Sequence, residues 1–166
     1  MKYSTKNEFE TTFNIKEDNN KCGGGSPIFD KIYITRKAYD VLGIKSRVII
    51  YHEIGHKKNL LLKFILATLT ILLGFLLMLF IFKLSYITIV VAIMWIIIVI
   101  IFAQRIDEVI ADKYAYQNKN SLEDFKFVFD KFKEVNQPSK MNEFFSNLTH
   151  GSDEMRIKRL AESKNL

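Results

Sequence analysis

The sequence predicts a mainly α-helical membrane protein in which a two-helix transmembrane hairpin interrupts a polar domain with a small β-hairpin. Three observations lead there. Leu60–Ala103 is almost wholly apolar, whereas the chain on either side is rich in Lys, Asn and Glu. That run is about twice as long as one crossing, which takes roughly 20 residues. Lys83, with Ser85 close by, divides it into Leu60–Phe82 and Leu84–Phe102, each of spanning length. The expected organisation is therefore 1–59, a hairpin over 60–103 (60–82 and 84–102), and 104–166.

Taken in order, Phe9, Thr11, Phe13 and Ile15 repeat with period two and predict a short strand. Glu17–Pro27, with Asn19-Asn20 and Gly23-Gly24-Gly25, reads as a loop. Its glycines lack the lysine and helix context of a phosphate-binding loop. Ile28–Ile34 predicts a second strand and a hairpin partner for the first. Thr35 can cap a short helix through Leu42 that Gly43 ends. A further helix starts near Ile44 or Ser46 and meets no breaker before Asn59. Beyond the apolar run, Gln104–Gln117 should be helical. Ser121 with Asp124 opens another helix, on which Leu122, Phe125, Val128, Phe129, Phe132 and Val135 share a face as far as Pro138. Met141, Phe144, Phe145 and Leu148 suggest a short helix, and Ser152 can cap a last one carrying Ile157 and Leu160.

The net charge is +6, from 24 basic and 18 acidic residues. Bases and acids are interleaved without an arginine-rich stripe, so no nucleic-acid partner is expected. Lysines flanking membrane segments explain the excess better. Lys57, Lys58 and Lys63 flank the entry to the hairpin and Arg105 and Lys113 its exit, against Lys83 alone at the far turn. This asymmetry predicts a multi-pass protein of the cell membrane with both termini in the cytoplasm. The N-terminus has no apolar core of a signal peptide, so insertion is expected to use the internal segments. Cys22 is the sole cysteine, which excludes an intramolecular disulfide.

One motif carries chemistry. His52-Glu53-Ile54-Gly55-His56 reads H-E-x-x-H. On a helix the two histidines sit one turn apart on one face, where both imidazoles reach one metal ion, and Glu53 faces its open side as a base. A catalytic zinc needs a third protein ligand. Only His150 remains among histidines, so carboxylates are the candidates, and Asp107-Glu108-Val109-Ile110-Ala111-Asp112 stands out. Glu108 and Asp112 are four residues apart, so one can bind metal while the other supports a ligand. An even number of crossings would return both sets to one side of the membrane. His56 would lie about 6 Å and Glu108 about 9 Å from the apolar boundary.

The order His52-Glu-Ile-Gly-His56, an apolar hairpin, then Glu108-Val-Ile-Ala-Asp112 resembles the membrane zinc peptidases of the HtpX and type I CAAX prenyl protease family. The segment Thr149-His150, followed by Arg156-Ile157 and Leu160, is similar to that family's T-H-P-x-x-x-x-R-I-x-x-L, with Gly151 in place of the proline. Lys31–Thr35 resembles the strand before its zinc helix, and Asn20–Gly24 its loop before that strand. The likeness covers roughly residues 20–160.

It implies a zincin-like catalytic domain holding one Zn2+ through His52, His56 and Glu108, with Glu53 as general base. It makes Asp112 the support of a ligand histidine, His150 the stabiliser of the oxyanion, and Arg156 a charge partner within the site. The implied activity is peptide-bond hydrolysis, a water acidified by zinc losing its proton to Glu53. The expected partners are the lipid bilayer and membrane-proximal or misfolded protein substrates, with extended substrate adding to the edge of the Ile28–Ile34 strand. The membrane helices that the family has and this chain lacks would come from an oligomer or a helper membrane protein. The alternative is a non-catalytic metal-binding membrane protein retaining the scaffold. A Cys22 thiolate closing the zinc in a latent state is a subsidiary idea.

Overall fold

The computed structural model describes residues 3–4, 12–19, 22–25, 31–59, 65–66, 68–74, 76, 86–118 and 120–163. It is mainly helical, with a small sheet. The strands are β1 (Tyr3–Ser4), β2 (Thr12–Lys16), β3 (Gly24–Gly25) and β4 (Tyr33–Thr35), joined in the order β1-β2-β4-β3. β2 and β4 run parallel, with Ile15 opposite Ile34, while β3 is antiparallel to β4, with Gly24 opposite Ile34. The expected β-hairpin is therefore corrected. The first two predicted strands do pair, but in the same direction, and the segment between them supplies β3 to the other side of β4. The start of the first predicted strand (Phe9, Thr11) and residues 26–30 lie outside the described residues. β4 is flanked on both sides, so it offers no edge to a substrate; the edge strands among the described residues are β1 and β3.

Local chemistry then sets the helices. Thr35 ends β4 and caps α1 (Arg36–Leu42), its Oγ1 accepting from Ala38 N at 3.2 Å. The same hydroxyl accepts from Gly23 N at 3.1 Å and donates to Gly23 O at 3.2 Å. One side chain thus joins β3, β4 and α1. Gly43, at φ 53°, closes α1 in a conformation that costs glycine little. A 3-10 turn over Gly43–Ser46 leads into α2 (Arg47–Lys58), which ends at Asn59.

The chain then forms α3 (Tyr86–Gln117), α4 (Leu122–Asn136), α5 (Lys140–Thr149) and α6 (Asp153–Glu162). α4 opens on a full capping box: Ser121 Oγ accepts from Asp124 N at 3.1 Å, and Asp124 Oδ2 accepts from Ser121 N at 3.0 Å. Ser139 and Ser152 cap α5 and α6. The core gathers Ile32, Ile34, Val48, Ile50 and Ile54 from the first part of the chain, and Ala115, Phe125, Val128, Phe129 and Leu160 from the last. The segments on either side of the apolar run therefore make one folding unit.

The transmembrane hairpin is corrected by these helices. No helix among the described residues is long and apolar enough to cross a membrane. Residues 60–64 and 77–85, which hold the ends of the first expected span and the turn at Lys83, lie outside the described residues. The second expected span is not a separate element. α3 continues without a break past Phe102 into Arg105, Asp107, Glu108, Asp112 and Lys113, and its last turns pack in the core. A run of apolar letters marked composition, not the bounds of a helix. The membrane fold class falls with the hairpin, as do the multi-pass placement in the cell membrane and the cytoplasmic orientation, which rested on it. The apolar side chains of this region include Ile71, Trp95 and Phe102, which are exposed.

Candidate metal centre

α2 and α3 cross at Gly55 and Ala111. A Cβ on Gly55 would lie 2.7 Å from Ala111 Cα and 3.1 Å from Ala111 O, so only glycine permits this approach. His52 and His56 flank Gly55 on α2, and Glu108 and Asp112 flank Ala111 on α3. The close crossing brings the four side chains face to face.

Their atoms converge. His52 Nε2 lies 2.9 Å from His56 Nε2, and each of the two is 3.3 Å from a Glu108 carboxylate oxygen. The three residues form a group that could hold a metal ion. Four-coordinate zinc binds nitrogen and oxygen at about 2.0–2.1 Å, which puts neighbouring ligand atoms about 3.3 Å apart at the corners of a tetrahedron. The two histidine–Glu108 separations match that figure, and the 2.9 Å between the nitrogens is shorter than it.

The other nitrogen of each histidine is held by an acid. His52 Nδ1 is 2.9 Å from Asp112 Oδ1, and His56 Nδ1 is 2.6 Å from Asp107 Oδ2. With the proton on Nδ1 in both rings, His52 donates to Asp112 and His56 stands in close contact with Asp107 outside hydrogen-bond geometry, and two Nε2 lone pairs are then aimed at each other and at Glu108. Acceptors do not converge in this way without a cation between them, be it a proton or a metal.

Asp112 is itself fixed by Arg156, whose Nε and Nη2 donate to Oδ2 at 2.7 Å and Oδ1 at 2.6 Å. The same guanidinium lies 3.7 Å from Glu108 Oε2 and over the Phe129 ring. His150 Nδ1 is 2.9 Å from Glu108 Oε1, with its side chain about half exposed. Glu53 is partly buried and lines two cavities that meet beside His56 and Glu108.

Without a metal, burial disfavours the charged form of His52, but hydrogen bonds to Asp112 and Glu108 outweigh it and push the imidazole up to about 9. His56 is also raised, its burial outweighed by Asp107 and Glu108. Burial would raise Glu108, yet hydrogen bonds from His150, His52 and His56 hold it far below the usual carboxylate range. Asp112 is likewise lowered against its burial, chiefly by Arg156 and then by His52. Both carboxylates are thus anions over the physiological range, as a ligand and its support must be.

All seven residues singled out in the sequence fall in or beside this cluster. Four further residues position them. Asp107 supports His56 as Asp112 supports His52. Gly55 and Ala111 permit the helix crossing. Arg105, read in the sequence as a flanking charge, donates from Nε to Leu148 O at 3.0 Å and from Nη2 to Asn147 O at 3.1 Å. It satisfies the carbonyl end of α5 and ties the turn bearing His150 to α3. Gly151, where the family has proline, sits at φ 85° and donates its N–H to Asn147 O at 3.0 Å. Proline can do neither. Cys22 is buried, its thiol raised by burial. Its backbone is held by Asn136 through two 2.9 Å bonds, Cys22 N to Oδ1 and Nδ2 to Cys22 O. A thiol in that state is a poor source of the thiolate a latent form would need.

The cleft beside the cluster has a volume of about 540 Å³ and is lined by Gly23, Gly24, His52, Glu53 and Arg156, among others. Comparison with known proteins found no matching family model, no matching curated protein and no matching solved structure.

Proposed function

We propose that this protein is a zinc-dependent endopeptidase with its centre at His52, His56 and Glu108. The observation that carries the reading is the convergence of two Nε2 atoms and one carboxylate at 2.9–3.3 Å, with both Nδ1 atoms fixed by acids. Imidazole and carboxylate donors in a three-residue set with a cleft beside them match a catalytic zinc site more closely than a closed structural one. The likeness of the three ordered motifs to the HtpX and type I CAAX family supports the same assignment.

Zinc bound there would polarise a substrate carbonyl and make water acidic enough to ionise near neutral pH. The remaining work belongs to the chain. Glu53 accepts the water's proton and returns it to the departing amine. Asp107 and Asp112 keep each Nδ1 protonated, so each Nε2 keeps its lone pair for the metal. Arg156 offsets the negative charge that Asp112 and Glu108 bring into a buried site. His150, at the mouth of the cleft, offers a donor for the charge that develops on the carbonyl oxygen.

Metal dependence tests this directly. Protein stripped with a chelator should not cleave an unfolded model substrate, and one equivalent of zinc should restore cleavage. Cleavage that continues undiminished in the chelator would refute the zinc assignment.

A further inference from the structure

A second cavity, of about 770 Å³, shares Glu53, His56, Glu108 and His150 with the first. Away from those residues its walls change character. Leu66 and Ile71 line it from the segment after α2, and Ile96, Ile100 and Ala103 from α3. Its volume lies in the range of ligand sites; Asn59, Thr70, Gln104 and Thr149 also line it, but no charged side chain does beyond those of the metal centre and Asp107. The first cavity also has apolar walls, Phe125, Phe129 and Phe132 among them, but it carries Lys133, Glu143 and Asp153 away from the centre, so the two spaces that meet at Glu53 differ in charge.

From this continuity we infer that the apolar groove is a specificity subsite. It takes a bulky apolar side chain of the substrate peptide immediately to one side of the scissile bond, while the cleft with charged walls takes the chain on the other side. This rests on the peptidase reading. Such a side chain would leave water for a groove whose walls are mostly Ile, Val, Leu and Ala, whereas a serine in its place would exchange water for few hydrogen-bond partners there. Discrimination on the order of tenfold or more follows from filling an apolar pocket. Ala103 lies one helical turn before Asp107, where a larger side chain would fill the groove without replacing any residue of the metal centre.

The test uses zinc-loaded full-length protein and two fluorescein-labelled peptides that differ only in Leu or Ser at one position. Wild type should bind the Leu peptide at least tenfold more tightly by anisotropy and cleave it with correspondingly higher kcat/KM. Ala103→Trp should abolish that preference while leaving cleavage of the Ser peptide within about threefold. Ile100→Ser, which makes the groove polar without filling it, should do the same if the tryptophan variant does not fold. Equal binding of both peptides by wild type, or parallel loss of both in a folded variant, would overturn the subsite. If wild type cleaves neither peptide, the peptidase reading fails. Anisotropy then still decides the groove: a Leu preference that Ala103→Trp removes sustains it, and no preference overturns it.

Discussion

Gly55→Ala sets helix propensity against the metal centre. In an isolated helix the change should stabilise by about 1 kcal/mol, since alanine is the better helix former. Here the new methyl would meet Ala111 Cα at 2.7 Å, which is 0.7 Å short of the 3.4 Å where ordinary contact begins. The obstruction is backbone, with no flexible side chain to swing aside. α2 must therefore retreat from α3 by about that amount. Overpacking of this kind costs about 1–3 kcal/mol, so the net effect is destabilising by up to about 2 kcal/mol. The same retreat opens the 3.3 Å distances from both histidines to Glu108 toward about 4 Å, beyond the edge of a zinc tetrahedron. Zinc affinity should fall at least as far as when a supporting residue is lost, about 10–100-fold. Thermal melts of the metal-free protein and zinc competition against a chromophoric chelator give the two readouts. A variant with a raised Tm and unchanged zinc affinity would refute the close crossing as the device that assembles the site.

Three further outcomes follow from the same geometry. Asp112→Asn should weaken zinc binding about 10–100-fold, because it removes the negative charge beside His52 Nδ1 and leaves one acceptor oxygen where His52 and Arg156 now use two; competition titration checks it. His52 in the metal-free protein is raised to about 9, above its ordinary value, so its charged form stabilises the fold fully below about pH 6.5, and that stability is lost as pH rises through 9. The metal-free Tm should therefore fall between pH 6.5 and 9, while apparent zinc affinity rises as the competing proton leaves; a metal-free Tm that climbs over this window would contradict the His52 contacts. Gly151→Pro, although it restores the family's residue, should destabilise by about 3 kcal/mol or more, since φ 85° is closed to proline and the bond to Asn147 O is lost. A melt of that variant at or above the wild-type Tm would count against the turn.

What could be read from the sequence was what local rules decide. Thr35, Gly43, Ser121 with Asp124, and Ser152 act within three or four residues of themselves, and the helices begin and end at them. The cluster of His52, His56 and Glu108 was legible because spacing of four on a helix fixes a shared face. The parallel pairing of β2 with β4 was not, because period-two patterns give strands without partners or direction. Asp107 received no role for a similar reason. It neighbours Glu108 in sequence, and adjacent helical residues do not share a face; its contact with His56 depends on how α2 crosses α3. The apolar run misled most. Hydropathy gave two spans with a turn at Lys83, and the meeting of His56 with Glu108 was argued from equal heights above a membrane. The crossing at Gly55 and Ala111 supplies that meeting instead, along a helix that runs through the boundary at Ala103.

The central claim is that Glu53 is the base of a zinc peptidase centred on His52, His56 and Glu108. Zinc content and hydrolysis of an unfolded substrate, measured side by side for wild type and Glu53→Ala, test it most directly. The account predicts one equivalent of zinc in both proteins and a loss of cleavage of at least about 10²-fold in the variant. Cleavage at the wild-type rate by zinc-loaded Glu53→Ala would contradict the mechanism, and wild-type protein that binds zinc but cleaves nothing would leave a metal-binding protein in place of an enzyme.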